Sequence, residues 1–385
     1  MSQPEQFLKE ALAGIREREF PVAQRLTYLN HAGIAPLPSR VVRAMTAALE
    51  ELHRHGAAHY EELVAGCERT RGLAARLLGA AVDEIAFVPS TSHGLSLVAF
   101  GLDWRPGDNV VLSAHEFPAN VYPWWAQRDR GVEVRTAPAP RGWVGPDDIA
   151  PLLDGRTRVV ALSSVQFARG GRTDLPGVAA VCRERGVLLV VDGIQSVGAA
   201  PLDVTAAGVD VLVADGHKWL LGPEGQGIFF CRRAVLEELR LSVAGWHSVA
   251  EPLRFEELRW ELQPDASRFE PGSLDRVAAV GLGAALELLL EVGLDRVAAR
   301  IQELTEYLLA GLDARGIPVL SPRDPAARSG IVTCGTGREA PAAAVQRLHD
   351  VGICVSARGG GLRASPHFYN TEEELDRLLA GLTTS

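Results

Sequence analysis

The chain has 385 residues, of which 47% are hydrophobic and 23% charged, enough apolar material for a large domain and a smaller one. Its formal net charge of −9, without a strongly basic run, argues against a nucleic-acid-binding protein. Since no apolar run approaches the ~20 residues that a membrane helix needs, we expect a cytoplasmic protein without membrane or nucleic-acid partners.

The first part of the chain contains helical patterns and one irregular loop. Residues 1–25 form a mixed-charge helical segment without an apolar signal core. Proline and glycine interrupt the pattern over residues 26–38 and predict a loop. Two helices are predicted next, over Ser39–His55 and Tyr60–Leu78, and apolar residues at helical spacing make the first a packing surface.

A strand, a polar turn and the start of a helix are predicted over residues 85–99. Thr91, Ser92, His93 and Gly94 lie in the turn, where free backbone N–H groups and the positive end of the helix dipole favour an anion. An ordinary helix cap explains the same turn equally well when it is taken alone.

Strands and helices alternate through the next hundred residues. The sequence predicts a buried strand over Asn109–Ser113, a proline- and glycine-rich connector over 135–154, a strand over Val159–Phe167 and a helix over Val178–Gly186. This order indicates a mostly parallel sheet with helices on both faces. Further along, Val277–Glu291 and Leu294–Arg315 have the periodicity of long amphipathic helices.

The central stretch holds Lys218, one of only two lysines among 39 basic residues. A buried-strand pattern ends at Asp192, and a second one ends shortly before Lys218, so both side chains are expected at one edge of one sheet. A lysine amine forms a Schiff base, which an arginine cannot do. An amine and a carboxylate placed together fit pyridoxal phosphate (PLP); the alternative is a surface lysine in a loop.

With Gln195 and His217 beside them, Asp192 and Lys218 form a pattern that resembles the class V aminotransferase family, which includes cysteine desulfurases, kynureninases and isopenicillin N epimerase-like enzymes. The resemblance extends from about Tyr28 to Leu379. It implies the α/β fold of type I PLP-dependent transferases, with a mostly parallel seven-stranded sheet in a large domain and a smaller α+β domain. We expect three parts: an N-terminal helical segment packing on the small domain (1–25), the large PLP-binding domain (26–265) and the small domain (266–385).

The resemblance also implies the roles of individual residues. Catalysis is assigned to Lys218 and Asp192. The expected PLP contacts are Thr91, Ser92, His93 through its N–H, Phe117 stacking on the ring, Gln166, Asp192, Gln195, His217 and Lys218, with Gly272 and Ser273 reaching the phosphate of the neighbouring subunit in a homodimer with shared active sites. The expected substrate contacts are Asn30, His31, Trp246 and Arg363, whose planar guanidinium suits an α-carboxylate.

Two residues near this site allow alternatives. His115 is a second candidate for an acid or base beside the ring. Asp215 would repel a phosphate group, so it either turns away or pairs with a cation such as Arg169 or Arg172. The five cysteines have neither metal-binding nor redox spacing, and no metal is expected.

The reaction is the least determined part of the interpretation. Desulfurases carry a nucleophilic cysteine just before the carboxylate-binding arginine, whereas here Arg358 is followed by three glycines, Leu362 and Arg363, which disfavours desulfurase activity. The favoured function is amino group transfer from an α-amino acid through an external aldimine. The alternatives are a C–S or other β-lyase of the kynureninase-like or sulfoxide-lyase-like kind, an epimerase, and a non-catalytic PLP-binding protein.

Overall fold

Strands and helices alternate along most of the chain. The computed structural model describes residues 3–382, with side chains from residue 10 onward. The strands are β1 (Thr27–Tyr28), β2 (Ile85–Val88), β3 (Asn109–Ser113), β4 (Glu133–Ala137), β5 (Thr157–Ser163), β6 (Leu188–Asp192), β7 (Val211–Asp215), β8 (Gly227–Cys231), β9 (Val332–Cys334), β10 (Ile353–Cys354), β11 (Ser356–Arg358) and β12 (Gly361–Ala364). The α-helices are α1 (Gln3–Glu19), α2 (Ser39–His55), α3 (Tyr60–Leu78), α4 (Thr91–Gly101), α5 (Tyr122–Trp125), α6 (Pro146–Ile149), α7 (Leu175–Glu184), α8 (Arg233–Leu236), α9 (Arg276–Val292), α10 (Leu294–Ala314), α11 (Pro341–Asp350) and α12 (Glu372–Leu382).

A seven-stranded sheet with the order β2-β8-β7-β6-β5-β3-β4 forms the centre of the molecule. Strand β8 is antiparallel to β7 and β2, while the pairs from β7 to β4 are parallel. Strands β5 to β8 are almost entirely buried because hydrophobic layers cover both faces. The predicted α/β fold with a mostly parallel seven-stranded sheet is confirmed.

A smaller antiparallel sheet, β11-β12-β9, lies in the C-terminal part. Leucines from α10 and α12 form a separate hydrophobic cluster with its strands. Helix α9, which the sequence analysis placed at the start of the small domain, packs instead against α2 and α3. The domain limits at residues 25 and 265 stay predictions, but the packing of α9 connects the C-terminal part closely to the helices before the sheet.

The helical predictions over Ser39–His55 and Tyr60–Leu78 agree with α2 and α3. The proposed connector over 135–154 is wrong at its beginning, because Glu133–Ala137 forms the edge strand β4 beside β3. An edge strand is paired on one side only, and its half-exposed residues lack the continuous apolar run of the inner strands.

Within residues 3–382, no single helix is long and apolar enough to cross a membrane. Helices α9 and α10 pass the length and composition criteria only as a pair, with a 79° bend at their junction. Most of the apolar residues of α9 face the main hydrophobic core.

Candidate active site

The parallel strands β5, β6 and β7 end at the same edge of the sheet. Asp192 is the last residue of β6 and lies opposite Ser163 of β5 and Val213 of β7. Lys218 follows the end of β7 by three residues. A cavity of about 590 Å³ opens at this edge, with both Asp192 and Lys218 in its wall. The carboxyl ends of parallel strands are where ligands bind in open α/β sheets.

Nine of the residues predicted for the site share this cavity. They are Asn30, Thr91, Ser92, Phe117, Asp192, Gln195, His217, Lys218 and Arg363. These residues come from six separate segments of the chain, so only the tertiary fold brings them together.

Asp192 is an almost fully buried carboxyl group. Its Oδ1 accepts a hydrogen bond of 3.0 Å from the backbone N–H of Ile194. Burial, together with the nearby Glu116, raises the pKa of Asp192 to about 7, against the hydrogen bond from Ile194 and the charge of Lys218. A carboxyl group with this proton affinity can share a proton with a ring nitrogen at neutral pH.

Lys218 has the opposite shift. Burial lowers its pKa to about 8, against the attraction of Asp192, and the positive charge of Arg363 lowers it further. Its Nζ lies 5.6 Å from the centre of the Phe117 ring. A substantial fraction of the amine is therefore neutral near pH 8 and able to act as a nucleophile or a base.

The first turn of α4 forms the wall of the cavity near β7. The Ser90 hydroxyl caps the helix by accepting a hydrogen bond of 3.1 Å from the backbone N–H of His93. Thr91 Oγ1 accepts the backbone N–H of Asp215 at 3.2 Å, and Ser92 is exposed toward the cavity. Because the first N–H groups of a helix have no intrahelical acceptor, the turn suits an anion, but the His93 N–H is already used by Ser90.

The start of α4 is also very close to β7. A Cβ atom placed on Gly94 would lie 2.5 Å from Cγ1 of Val213, so only glycine fits there without displacement. The close approach brings the helix start and the strand that leads to Lys218 into direct contact.

Gln195 and His217 form further parts of the wall. Gln195 is fixed at both ends of its amide, donating to the carbonyl of Ala32 at 3.1 Å and accepting from Trp219 Nε1 at 2.9 Å. His217 Nδ1 lies 3.2 Å from Asp215 Oδ1, although neither atom makes a hydrogen bond with residues 10–382. The neighbour of Asp215 is thus His217, rather than Arg169 or Arg172 as the sequence suggested.

Arg363 reaches the cavity from β12. Its Nε donates to Ser356 Oγ at 3.1 Å and its Nη1 donates to the carbonyl of Phe167 at 2.6 Å. Burial lowers the pKa of Arg363 to about 10, and Arg358 at the same cavity adds to the shift. The guanidinium is therefore fixed in direction, and a carboxylate is the natural partner for its positive charge.

His31, Trp246 and Gln166 are among the predicted contacts that do not line the cavity. His31 is fully buried, with Nδ1 2.8 Å from the carbonyl of Ser365 and Nε2 2.7 Å from the Tyr369 hydroxyl, and its role as a substrate contact stays a prediction. Trp246 lines a separate surface pocket together with Trp260, and its role as a substrate contact likewise stays a prediction. Gln166 is buried outside the cavity wall, with its amide donating to Glu116 at 3.0 Å.

The remaining candidates lie around the site. His93 is half-buried and its ring is not part of the cavity wall. His115 contacts the carbonyl of Ala139 at 3.1 Å in another pocket. Gly272 and Ser273 also lie outside the cavity of their own chain, and Ser273 is exposed, as a residue that contacts a neighbouring subunit would be before assembly.

The sequence analysis missed Glu116. This buried carboxylate accepts hydrogen bonds from the backbone N–H and hydroxyl of Ser163, from Asn120 Nδ2 and from Gln166 Nε2. Burial raises its pKa, against these hydrogen bonds. The only signal in the sequence was an acid between His115 and Phe117, in a loop where an exposed carboxylate is unremarkable.

The cavity has the groups that PLP requires. Asn30 Oδ1, Asp215 Oδ1 and His217 Nδ1 are buried in its wall without hydrogen-bond partners among residues 10–382. Such groups are usually satisfied by a protein group, water or a ligand. Lys218 and Asp192 supply the amine and the acid, so the donor set fits the cofactor.

The comparisons with known proteins agree on one family. The model of the family described as Aminotransferase class-V matches residues 27–378. A protein of Methanothermobacter thermautotrophicus named probable cysteine desulfurase is 32% identical over 384 residues, which cover 94% of this chain and 95% of the relative.

Two similar solved structures are of the protein C-DES. One, a variant with glycine covalently linked to the PLP cofactor, has a TM-score of 0.90 and 28% identity, covering 96% of this chain and 99% of the other. The second is a complex of the cystine C–S lyase C-DES with its reaction product cysteine persulfide. It has a TM-score of 0.90 and 27% identity, covering 95% and 99% of the two chains.

Proposed function

Because the chain belongs to the class-V aminotransferase family, we propose that it is a PLP-dependent C–S lyase that cleaves the Cβ–S bond of a cysteine-derived amino acid, with the disulfide cystine as the first candidate. The relatives favour this reaction over amino group transfer, since one is named a probable cysteine desulfurase and another a cystine C–S lyase. An enzyme of the transferase or lyase class is common to both interpretations.

The observation that carries the proposal is a catalytic cavity without a cysteine. Among residues 10–382, which contain all five cysteines, none lines the cavity. Burial raises the pKa of Cys67 to about 11 and those of Cys182 and Cys334 to about 12, and it also raises the pKa values of Cys231 and Cys354. These thiols are poor nucleophiles at neutral pH.

A sulfur acceptor is therefore absent from the protein side of the site, and the departing sulfur must leave with its own substituent. In cystine the leaving group is a persulfide: the Cβ–S bond breaks, sulfur keeps the electron pair, and the Cα proton is removed. With one water the products are cysteine persulfide, pyruvate and ammonia, which balances all atoms. A disulfide substrate thus needs no enzyme thiol.

The residues would hold the cofactor as follows. Lys218 would bind its aldehyde carbon, Asp192 its pyridine nitrogen and Phe117 one face of its ring, while Thr91, Ser92 and the start of α4 would hold its phosphate. When bound, PLP accepts the electrons released at Cα. The raised pKa of Asp192 suits it to keep a proton at the ring nitrogen.

Arg363 would hold the α-carboxylate of the amino acid. Its hydrogen bonds to Ser356 and Phe167 leave Nη2 without a partner among residues 10–382, so the guanidinium can receive a carboxylate without first breaking a contact. The amine of Lys218, once free, would carry the Cα proton, since its pKa of about 8 is close to neutral pH.

The test is pyruvate formation from cystine by the PLP-loaded protein without an amino acceptor. Cysteine, and alanine with a keto acid, are the comparison substrates. Pyruvate and a persulfide from cystine alone support the proposal. Turnover that requires a keto acid would show amino group transfer instead, and Lys218→Ala protein measured in parallel removes the contribution of contaminating enzymes.

The assembly and location are separate parts of the proposal. We infer a homodimer in which Gly272 and Ser273 of one subunit reach the phosphate of the other, located in the cytoplasm. Mass measurement in solution tests the dimer, and a Ser273→Asp substitution should weaken PLP binding in it because the added carboxylate would repel the phosphate.

A further inference from the structure

A second cavity, of about 380 Å³, lies behind the catalytic one. One wall is the face of α10 that carries Ile301 and Thr305, and the opposite wall is the segment after β6 that carries Leu202 and Ala206. Gln195 lines both cavities, but its amide is held by Ala32 and Trp219. The second cavity is therefore a separate space with a shared wall.

Most of this cavity is apolar. Its lining includes Val165, Leu175, Pro201, Leu202 and Ile301. A volume of this order, with mainly apolar walls and a few polar groups, is typical of a small-molecule site.

The polar groups gather at one corner. Gly171 and Arg328 form an antiparallel bridge, and the backbone N–H of Arg172 donates to the carbonyl of Ala327 at 2.8 Å, so the two arginines come from adjacent backbone segments. Thr305 lines the same cavity from α10. Arg328 is paired with Glu306, whereas Arg172 is exposed and makes no ion pair within residues 10–382.

Two atoms in this corner lack a partner. Thr305 is only 2% exposed, yet its hydroxyl makes no hydrogen bond with the described side chains and backbone, and the same holds for the buried Nε of Arg328. A buried polar group without a partner is costly unless water or a ligand satisfies it.

The atoms without a partner, Thr305 Oγ1 and Arg328 Nε, can both donate hydrogen bonds, while the carboxylate of Asp203 also lines the cavity. Glu306 pairs with Arg328, and Asp203 in the cavity wall accepts the backbone N–H of Ala206 at 2.8 Å. An occupant with acceptor atoms toward Thr305 and Arg328, negative charge toward Arg172 and apolar surface elsewhere would fit this lining.

We propose that this cavity binds a small monocarboxylate with an apolar body, its carboxylate facing Arg172, Arg328 and Thr305. The walls belong to α10 and to the segments that follow strands β5 and β6. A ligand in the cavity would therefore contact both parts of the molecule. Through Gln195 it contacts the back of the catalytic cavity without entering it.

The test uses 3-phenylpropionate and its uncharged analogue 3-phenylpropionamide, measured by calorimetry with the PLP-loaded protein. The carboxylate is expected to bind one per chain, and the amide about tenfold or more weakly, because charged hydrogen bonds are lost. Thr305→Val, which keeps the shape, and Arg328→Gln should each weaken carboxylate binding. Ile301→Trp should fill the cavity with the indole ring and so abolish carboxylate binding.

Two controls separate this site from the rest of the surface. Arg323→Gln removes an exposed arginine of the same loop that pairs with Asp313 outside the cavity, and binding should be unchanged. Arg363→Gln should also leave it unchanged, although that variant loses the catalytic carboxylate partner. Loss of binding in Arg363→Gln, equal affinity for the amide, or no saturable binding to the unsubstituted protein each overturns the proposal, and none of these outcomes depends on the reaction that the enzyme catalyses.

Discussion

Lys218 Nζ lies 5.6 Å from the centre of the Phe117 ring, although the lysine follows β7 and the phenylalanine follows β3. The ring covers one side of the amine and helps to keep water from it. Burial is the main cause of the lowered pKa of Lys218. Phe117 therefore contributes to the burial that lowers the pKa of the Lys218 amine.

Replacing Phe117 with alanine should weaken PLP binding about fivefold or more, since ring stacking contributes roughly 1 kcal/mol beyond area burial. It should also raise the pKa of Lys218 toward its ordinary value because water gains access. Cofactor dissociation and the pH dependence of cofactor attachment measure the two effects. Phe100→Ala is the matched control, since both phenylalanines are 40% exposed and Phe100 lies outside the cavity.

The chain has only two lysines, which makes the attachment point easy to test. Borohydride reduction of the PLP-loaded protein should fix the cofactor to Lys218, as located by mass spectrometry. Lys218→Arg should abolish both attachment and turnover, because a guanidinium is not a nucleophile. Lys9→Arg should retain both, and labelled Lys9 in the unsubstituted protein would contradict the assignment.

Asp192 should make the cofactor-free protein less stable as the pH rises. Its pKa is raised from 3.8 to about 7, so between these values the unfolded chain releases its proton while the folded protein keeps it, and the free energy of unfolding falls. Asp192→Asn should remove this contribution and stabilise the cofactor-free protein at pH 8 by roughly 1–3 kcal/mol, while turnover is lost. Urea unfolding across the pH range measures this, and parallel curves for the two proteins would refute it.

Arg363→Gln should lower kcat/KM for the amino-acid substrate roughly 30-fold to 1,000-fold, as expected when one partner of a buried charge pair is removed. PLP binding should persist, since Arg363 contacts Ser356 and Phe167 rather than the residues that would hold the cofactor. The exposed Arg358 is the comparison, and its glutamine variant should have a smaller effect. Equal kinetics for both variants would show that Arg363 does not bind the substrate.

Glu116→Gln should destabilise the protein by roughly 1–3 kcal/mol, because an amide group would face donors that now bind a carboxylate. Asn120 cannot adapt by turning its amide, since its Oδ1 accepts from Trp124 at 3.1 Å. The variant should also lower the pKa of Asp192, which Glu116 raises. Thermal unfolding and the pH titration described for Asp192 measure both effects, with the exposed Glu251→Gln as control.

The sheet and the centre of the site were predictable because local patterns specify them. Buried parallel strands are continuous apolar runs, and the strand that ends at Asp192 is one of them. The order of strands and helices then brings Asp192 and Lys218 to one edge. The resemblance to the class V family, carried by the same residues, is confirmed by the match over residues 27–378.

The surroundings of individual side chains were less predictable, because they depend on packing between distant segments. Nothing near His31 in the sequence indicates that both ring nitrogens are used by Ser365 and Tyr369, more than 330 residues away. The burial of Glu116 depends in the same way on Ser163 of β5. Strand β4 was missed because its residues are mostly half-exposed or exposed.

The contact between Gly94 and Val213 has a consequence for how new specificities arise in this scaffold. The spacing between the first turn of α4 and the strand that leads to Lys218 is set by main chain against side chain, with no adjustable group between them. Phe117, by contrast, lies in the loop after β3 and is 40% exposed. Substrate choice can therefore diverge by changes in that loop while the spacing between α4 and the strand is inherited unchanged.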